Sequence, residues 1–108
     1  MTKFEQEQIN EMCKTTLDRV NTEIMEQGGL KDWSRLRTCQ AEVSETSRYY
    51  VLRSYNTLVA FIDKTTDTLY DVLRYVYGYT ATSAQHISKF EKDYCQGQWH
   101  CESRYTMR

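Results

Sequence analysis

The 108-residue sequence predicts an α+β fold, with a long N-terminal amphipathic helix followed by a β-hairpin and a C-terminal helix that form a β-β-α unit. Three observations predict it. Ile9, Met12, Cys13, Thr16, Leu17, Val20 and Ile24 fall on one side of a helix at 100° per residue. Two runs rich in aromatic and β-branched residues, Tyr50 to Asp63 and Leu69 to Tyr79, flank the short polar turn Asp63-Lys64-Thr65-Thr66-Asp67. Helical spacing then returns in Ala84, Ile87, Phe90 and Tyr94.

Residues 1–29 form the acidic helix. Thr2 and Glu5 make a T-x-x-E capping box at its start, and Gly28-Gly29 supply the stop, so the helix runs from about Lys3 to Gln27. Residues 30–48 show neither a clean helical nor a clean strand period, in spite of Trp33, Leu36 and Val43, and are expected to be a connector, with Asp32 able to cap a short helix toward Ala41. Residues 49–97 form the β-β-α unit. In Leu69 to Tyr79, Leu69, Val72, Leu73 and Val76 fit a helix while the tyrosines favour a strand; the short turn before them selects the strand, with Gly78 at a kink. Thr82 and Gln85 form a second capping box, T-x-x-Q, for a helix between Thr80 and Gln96 that Gly97 ends. Residues 98–108 are a polar tail expected to fray.

Composition narrows the function classes. The formal charge of −1 argues for no overall attraction to nucleic acid, membrane or an acidic substrate. The first 29 residues carry six acids and three bases, and the remainder nine acids and eleven bases, so the two parts are weakly complementary. Leu, Ile, Val and Phe number 20, a thin aliphatic core that nine Tyr and two Trp must supplement. No stretch reaches the roughly 18 apolar residues of a membrane span, and the polar N-terminus is unlike a signal peptide, so a cytoplasmic setting with free thiols is expected for Cys13, Cys39, Cys95 and Cys101. The trio Cys95, His100 and Cys101 has the right ligand types for zinc, but three ligands at C-x4-H-C spacing match no standard finger; no metal and no cofactor are expected.

No dinucleotide fingerprint, phosphate loop or G-x-S-x-G elbow is present. His86 is the most catalytic-looking residue, yet the sequence shows no nucleophile within its reach, and no catalytic residue is assigned. Tyrosine interleaved with arginine is the composition that anchors interfaces and stacks bases. The candidate partner-binding residues are therefore Tyr49, Arg53, Tyr55, Arg74, Tyr75, Tyr77 and Tyr79. Thr82, Ser83 and His86, at the start of the second helix, are a weaker candidate anion site.

The run Ser54-Tyr55-Asn56-Thr57-Leu58-Val59-Ala60, and the later run Tyr77-Gly78-Tyr79-Thr80-Ala81-Thr82-Ser83-Ala84-Gln85-His86-Ile87-Ser88-Lys89-Phe90, resemble a group of small proteins from phages, plasmids and other mobile elements of Firmicutes. Their pattern is S-Y-x-T-x-V-A, a hairpin, then an S/T-rich x-H-I-x-x-F helix start; the match spans about Leu52 to Phe90. The resemblance implies β-β-α order and no particular activity. It suggests a non-enzymatic protein that contacts a host protein or nucleoprotein complex, such as a CRISPR–Cas nuclease or another defence system. Single-stranded nucleic acid or a nucleotide, held by Tyr stacking with Arg48, Arg53, Arg74 and Lys89 on phosphates, is the alternative partner. The long helix can fold back on the hairpin or pair with a second copy. Its length relative to a two-stranded sheet favours a homodimer, with Phe4 and Met25 adding apolar surface.

Overall fold

The structure, a computed structural model, describes residues 2–37, 40–73, 81–95, 101 and 103–107. The α+β class is present, but the sheet is much larger than a hairpin. Helix α1 spans Lys3–Glu26, and strands follow at Ser34–Arg35 (β1), Ala41–Glu45 (β2), Tyr49–Ser54 (β3), Thr57–Asp63 (β4) and Thr68–Asp71 (β5). Helix α2, Ala81–Tyr94, and strand β6, Ser103–Thr106, complete the described elements. The strands form one six-stranded sheet in the order β1-β2-β3-β4-β5-β6, antiparallel throughout except for the parallel pair β5–β6.

The ends of α1 follow from local chemistry. Thr2 accepts a hydrogen bond from the Glu5 amide at 3.2 Å. At the other end Gly28 and Gly29 adopt φ of 83° and 105°, and the Gly29 amide donates back to the Ile24 carbonyl at 2.8 Å. This left-handed stop satisfies carbonyls that the helix leaves open.

The sheet separates two apolar layers. On one face Leu36, Ala41, Val43, Leu52, Ile62 and Leu69 pack with Ile87 and Phe90 of α2. On the other, Tyr49, Val51, Phe61 and Val72 pack with Cys13 and Val20 of α1. Strand alternation supplies both sets, since neighbouring side chains point to opposite faces. A bulge in β4 breaks the alternation. Leu52 pairs with Ala60 and Arg53 with Leu58, so Val59 is the extra residue and joins Ala60 in the α2-side core.

Several expectations are corrected here. Residues 30–48 are no connector, because they contain β1 and β2; Val43 and Ala41 face the core, while Ser44 is buried by donating to the Lys31 carbonyl at 2.6 Å. The segment Tyr50 to Asp63 is two strands, because the chain reverses at Tyr55-Asn56. The strand expected over Leu69 to Tyr79 is found only as far as Asp71; residues 74–80 lie outside the described residues. The tail is not frayed at Ser103–Thr106, where parallel pairing with β5 and a stack of Tyr105 on Tyr70, 5.6 Å between centroids, hold it in the sheet.

The overhang that favoured a homodimer is absent, because the sheet has six strands rather than two. The helix does not overhang a two-stranded sheet: Gln6 donates to the Thr106 carbonyl near one end, and Glu23 accepts from Ser47 near the other. The helix packs on the sheet of its own chain through Cys13 and Val20, and leaves Phe4 and Met25 exposed toward its ends. Among the described residues, no helix is long and apolar enough to cross a membrane.

The turn Asp63 to Asp67 works without glycine because two aspartates supply its geometry. The Asp63 carboxylate accepts from the amides of Thr65 and Thr66 at 2.9 and 3.4 Å, and Asp67 takes a φ of 51°. Asp63 is itself buried and receives two bonds from Arg48, through Nε at 3.0 Å and Nη2 at 2.8 Å.

Candidate binding site

The β3–β4 connection is a two-residue turn in which Tyr55 and Asn56 both have positive φ, 50° and 68°. Paired left-handed residues are what a tight hairpin turn requires, and asparagine–glycine is the usual solution. Asparagine tolerates this conformation, whereas a bulky tyrosine does so at a cost of order 1–3 kcal/mol. The Tyr55 side chain is not repaid by burial, since it is 57% exposed. A strained, exposed aromatic at the tip of a hairpin is the clearest functional signal in the fold.

Beside the tip lies an open cleft of about 430 Å³ lined by Arg35, Gln40, Ala41, Glu42, Tyr55 and Asn56. The Tyr55 amide donates to the Gln40 carbonyl at 3.3 Å, which ties the tip to the segment entering β2. Glu42 faces Arg53 across the strand pair and accepts from its Nη2 at 2.8 Å. The Arg53 guanidinium carbon lies over the Trp33 ring, 3.8 Å from its centroid. Its Nε donor is buried and has no acceptor among the described residues. The depression therefore offers an exposed phenol and a carboxylate, and that carboxylate is bonded to the arginine of the arginine–tryptophan stack.

The site residues expected from sequence divide into three groups. Tyr55 lines this cleft, and Arg53 borders it through its ion pair with Glu42. Tyr49 does not: it sits at the opposite end of β3, 1% exposed, packed under α1, so it is a core residue. Arg74, Tyr75, Tyr77 and Tyr79 lie outside the described residues. Sequence reasoning overlooked Trp33, Glu42 and Gln40 because residues 30–48 carry no clean period; Trp33, a large aromatic in a polar stretch, was the available signal.

The expected anion site is corrected too. Helix α2 already includes Thr82, which is exposed, while Ser83 and His86 turn inward and are buried. There Ser54 Oγ lies 3.1 Å from Ser83 Oγ and 2.9 Å from His86 Nδ1. Burial, with Lys89 adding to it, holds the His86 pKa below its usual value, which favours the neutral ring. A serine beside histidine resembles a nucleophile and its base. Yet Ser54 is fully buried and His86 nearly so, and their polar atoms satisfy one another inside the α2-side core. Outside this cluster the tip continues onto α2, because the Tyr55 ring lies 5.8 Å from that of His86.

The cysteine expectations change as well. Cys95 and Cys101 are joined as a disulfide, whereas Cys13 is a buried free thiol that burial and the charge of Asp71 push up to about 12. His100 and Cys39 lie outside the described residues. Compared with known proteins, the chain matches no family model, no curated protein and no solved structure.

Proposed function

We propose that this chain is a non-enzymatic binding protein that holds a macromolecular partner through the β3–β4 tip and its cleft. The strained and exposed conformation of Tyr55 carries the reading. Aromatic and arginine side chains dominate binding energy at interfaces, and here the Arg53–Trp33 stack is joined through Glu42 to the cleft that Tyr55 lines. The Arg53–Trp33 stack is pre-organised, so little side-chain entropy remains to be lost on association. The buried Ser54–His86–Ser83 cluster supports the hairpin and the start of α2 that flank the tip.

The partner in this reading is a host protein or nucleoprotein complex, met in the cytoplasm of a cell that carries a mobile element. That setting rests on the sequence resemblance, and inhibition of a defence nuclease by protein–protein contact is the case it favours. The acidic helix α1, whose outer face carries Glu7, Glu11, Asp18 and Glu26, suits a basic partner surface. A photo-crosslinking amino acid at position 55, used in the host, tests the reading: one dominant adduct is expected, and the adduct should disappear when the probe is moved to the buried end of β3.

One observation favours a second reading, binding of single-stranded nucleic acid. A shallow depression of about 430 Å³ beside α2 is lined by Lys89 and Lys92 together with Ala81, Ala84, Gln85, Ser88 and Arg37, whose guanidinium is held by the Asp93 carboxylate at 2.7 and 2.9 Å. Tyr55 adjoins the same helix through His86. Bases stacked on the tyrosine would place phosphates along this basic side. Arg48 and Arg37 are less suited to that role, since they are tied to Asp63 and Asp93. Titration with short DNA and RNA at low and high salt separates the two readings, because phosphate contacts weaken steeply with salt.

A further inference from the structure

Three separate elements bring chemically related side chains together on the α2 side of the sheet. Asp67 comes from the turn between β4 and β5, where its φ of 51° fixes the direction of the chain. Cys95 follows the last turn of α2, and its amide still donates to the Glu91 carbonyl at 3.1 Å. Cys101 precedes β6 and is 5% exposed. One carboxylate oxygen and the two sulfur atoms all lie within 4.8 Å of one another. Cys95 packs against the α2-side core, and Cys101 belongs to it.

Two sulfurs with a carboxylate oxygen facing them make a donor set as well as a disulfide. Zinc accepts thiolate sulfur at about 2.3 Å and carboxylate oxygen at about 2.0–2.2 Å. Tetrahedral angles then require sulfurs roughly 3.8 Å apart, a separation that a 5.1 Å Cα–Cα distance allows by side-chain rotation alone. Two soft thiolates select zinc over calcium or magnesium, which prefer all-oxygen shells.

We propose that Cys95, Cys101 and Asp67 form a redox-gated zinc site: oxidised, the sulfurs are a disulfide; reduced, they bind one zinc ion with Asp67 as third ligand and water as fourth. The chemistry balances in two steps. A dithiol reductant supplies two electrons and two protons, the S–S bond breaks, and the reductant leaves as its own disulfide. Zinc then displaces the two thiol protons and takes both thiolates together with the Asp67 carboxylate. In either state the end of α2 stays joined to the approach to β6; in the zinc state the β4–β5 turn is joined to them as well.

The test uses the full chain, reduced with a water-soluble phosphine and titrated anaerobically with cobalt(II) and, separately, zinc. Reduced wild type should show a thiolate-to-cobalt charge-transfer band that zinc bleaches, with one metal per chain in native mass spectra. The oxidised protein should show neither. Zinc should also slow alkylation of Cys95 and Cys101 and raise the melting temperature of the reduced protein. Cys101→Ser should abolish the band. Asp67→Asn, which keeps both cysteines and a residue type that tolerates the turn's φ of 51°, should weaken zinc binding by more than roughly tenfold, the loss that disturbing a ligand's supporting hydrogen bond already causes. Absence of the band in reduced, folded wild type at millimolar cobalt overturns the proposal. So does an Asp67→Asn protein that binds zinc as tightly as wild type.

Discussion

Ser54 and His86 meet across the interior of the fold, with the serine Oγ 2.9 Å from the histidine Nδ1 and Ser83 completing the group from 3.1 Å. This contact joins the last residue of β3 to the first half of α2. It predicts that His86→Ala lowers stability by about 1–3 kcal/mol, the cost of leaving buried hydroxyls without a partner, while a partner captured through Tyr55 is still bound. Thermal unfolding and crosslinking on the same preparation check this. Lost binding at unchanged melting temperature would give His86 a direct role instead.

The same residue predicts a pH dependence. Burial depresses the pKa of His86 in the folded state, so below the ordinary value of about 6.5 the unfolded chain takes up the proton first. The unfolded state then binds more protons than the folded one, and stability rises with pH in that window. Unfolding free energy should therefore fall as pH drops below about 6.5 and level off once the folded state is protonated too. In His86→Asn this sensitivity should be absent when denaturation midpoints are compared across the pH range.

Arg48 and Asp63 predict an asymmetric pair of effects. Asp63 is 3% exposed in its side chain and serves both Arg48 and the turn amides, whereas Arg48 is 44% exposed. Asp63→Ala should cost about 2–3 kcal/mol, since the turn and the ion pair fail together. Arg48→Ala should cost about 1–2 kcal/mol, because the turn amides still bind the carboxylate. Urea unfolding of both variants measures the difference; equal effects would mean that the turn contacts add nothing.

Cys13 should be inert in the native state. Its thiol is buried against the sheet with a pKa near 12, so almost no thiolate exists at neutral pH. Peptide mapping after alkylation at pH 8 should find Cys13 unmodified in folded protein and modified in denaturant. Rapid native labelling would show that α1 opens readily from the sheet.

The sequence made both helices legible because each carries its own evidence: the Thr2 cap and Gly28-Gly29 stop for α1, the Ile87 and Phe90 face for α2. The strands β1, β2 and β6 were not legible because their signal is tertiary. Ala41, Glu42 and Val43 alternate over only a few residues, and Ser103–Thr106 becomes a strand through parallel pairing with β5. The turn at Tyr55-Asn56 was hidden by an aromatic residue where glycine or asparagine is the usual marker. Composition named Tyr49, Arg53 and Tyr55 alike, and it does not separate the exposed Tyr55 from the buried Tyr49. Only the assignment of sheet faces does that.

The fold-back of α1 predicts a monomer. With Cys13, Thr16 and Val20 buried within the chain, light scattering at 100 micromolar, a concentration on the order of that at which weak dimers form, should give the mass of one chain, 12.9 kDa. A dimer mass that Phe4→Ser or Met25→Ser abolishes would show that the exposed ends of the helix pair with a second copy.

The strain at Tyr55 gives the most direct test of the binding role. Tyr55→Asn places a residue that tolerates positive φ at the same position, so it should raise stability by a few tenths to about 1 kcal/mol. If the tyrosine is kept for contact, the same substitution should remove most of the captured partner. The decisive measurement pairs the melting temperature of Tyr55→Asn with quantitative co-purification of the wild-type partner from the host. A higher melting temperature with partner recovery reduced tenfold or more is the predicted result. A variant that is more stable and recovers the partner as well as wild type would contradict the account, because Tyr55 would then bear strain for no contact.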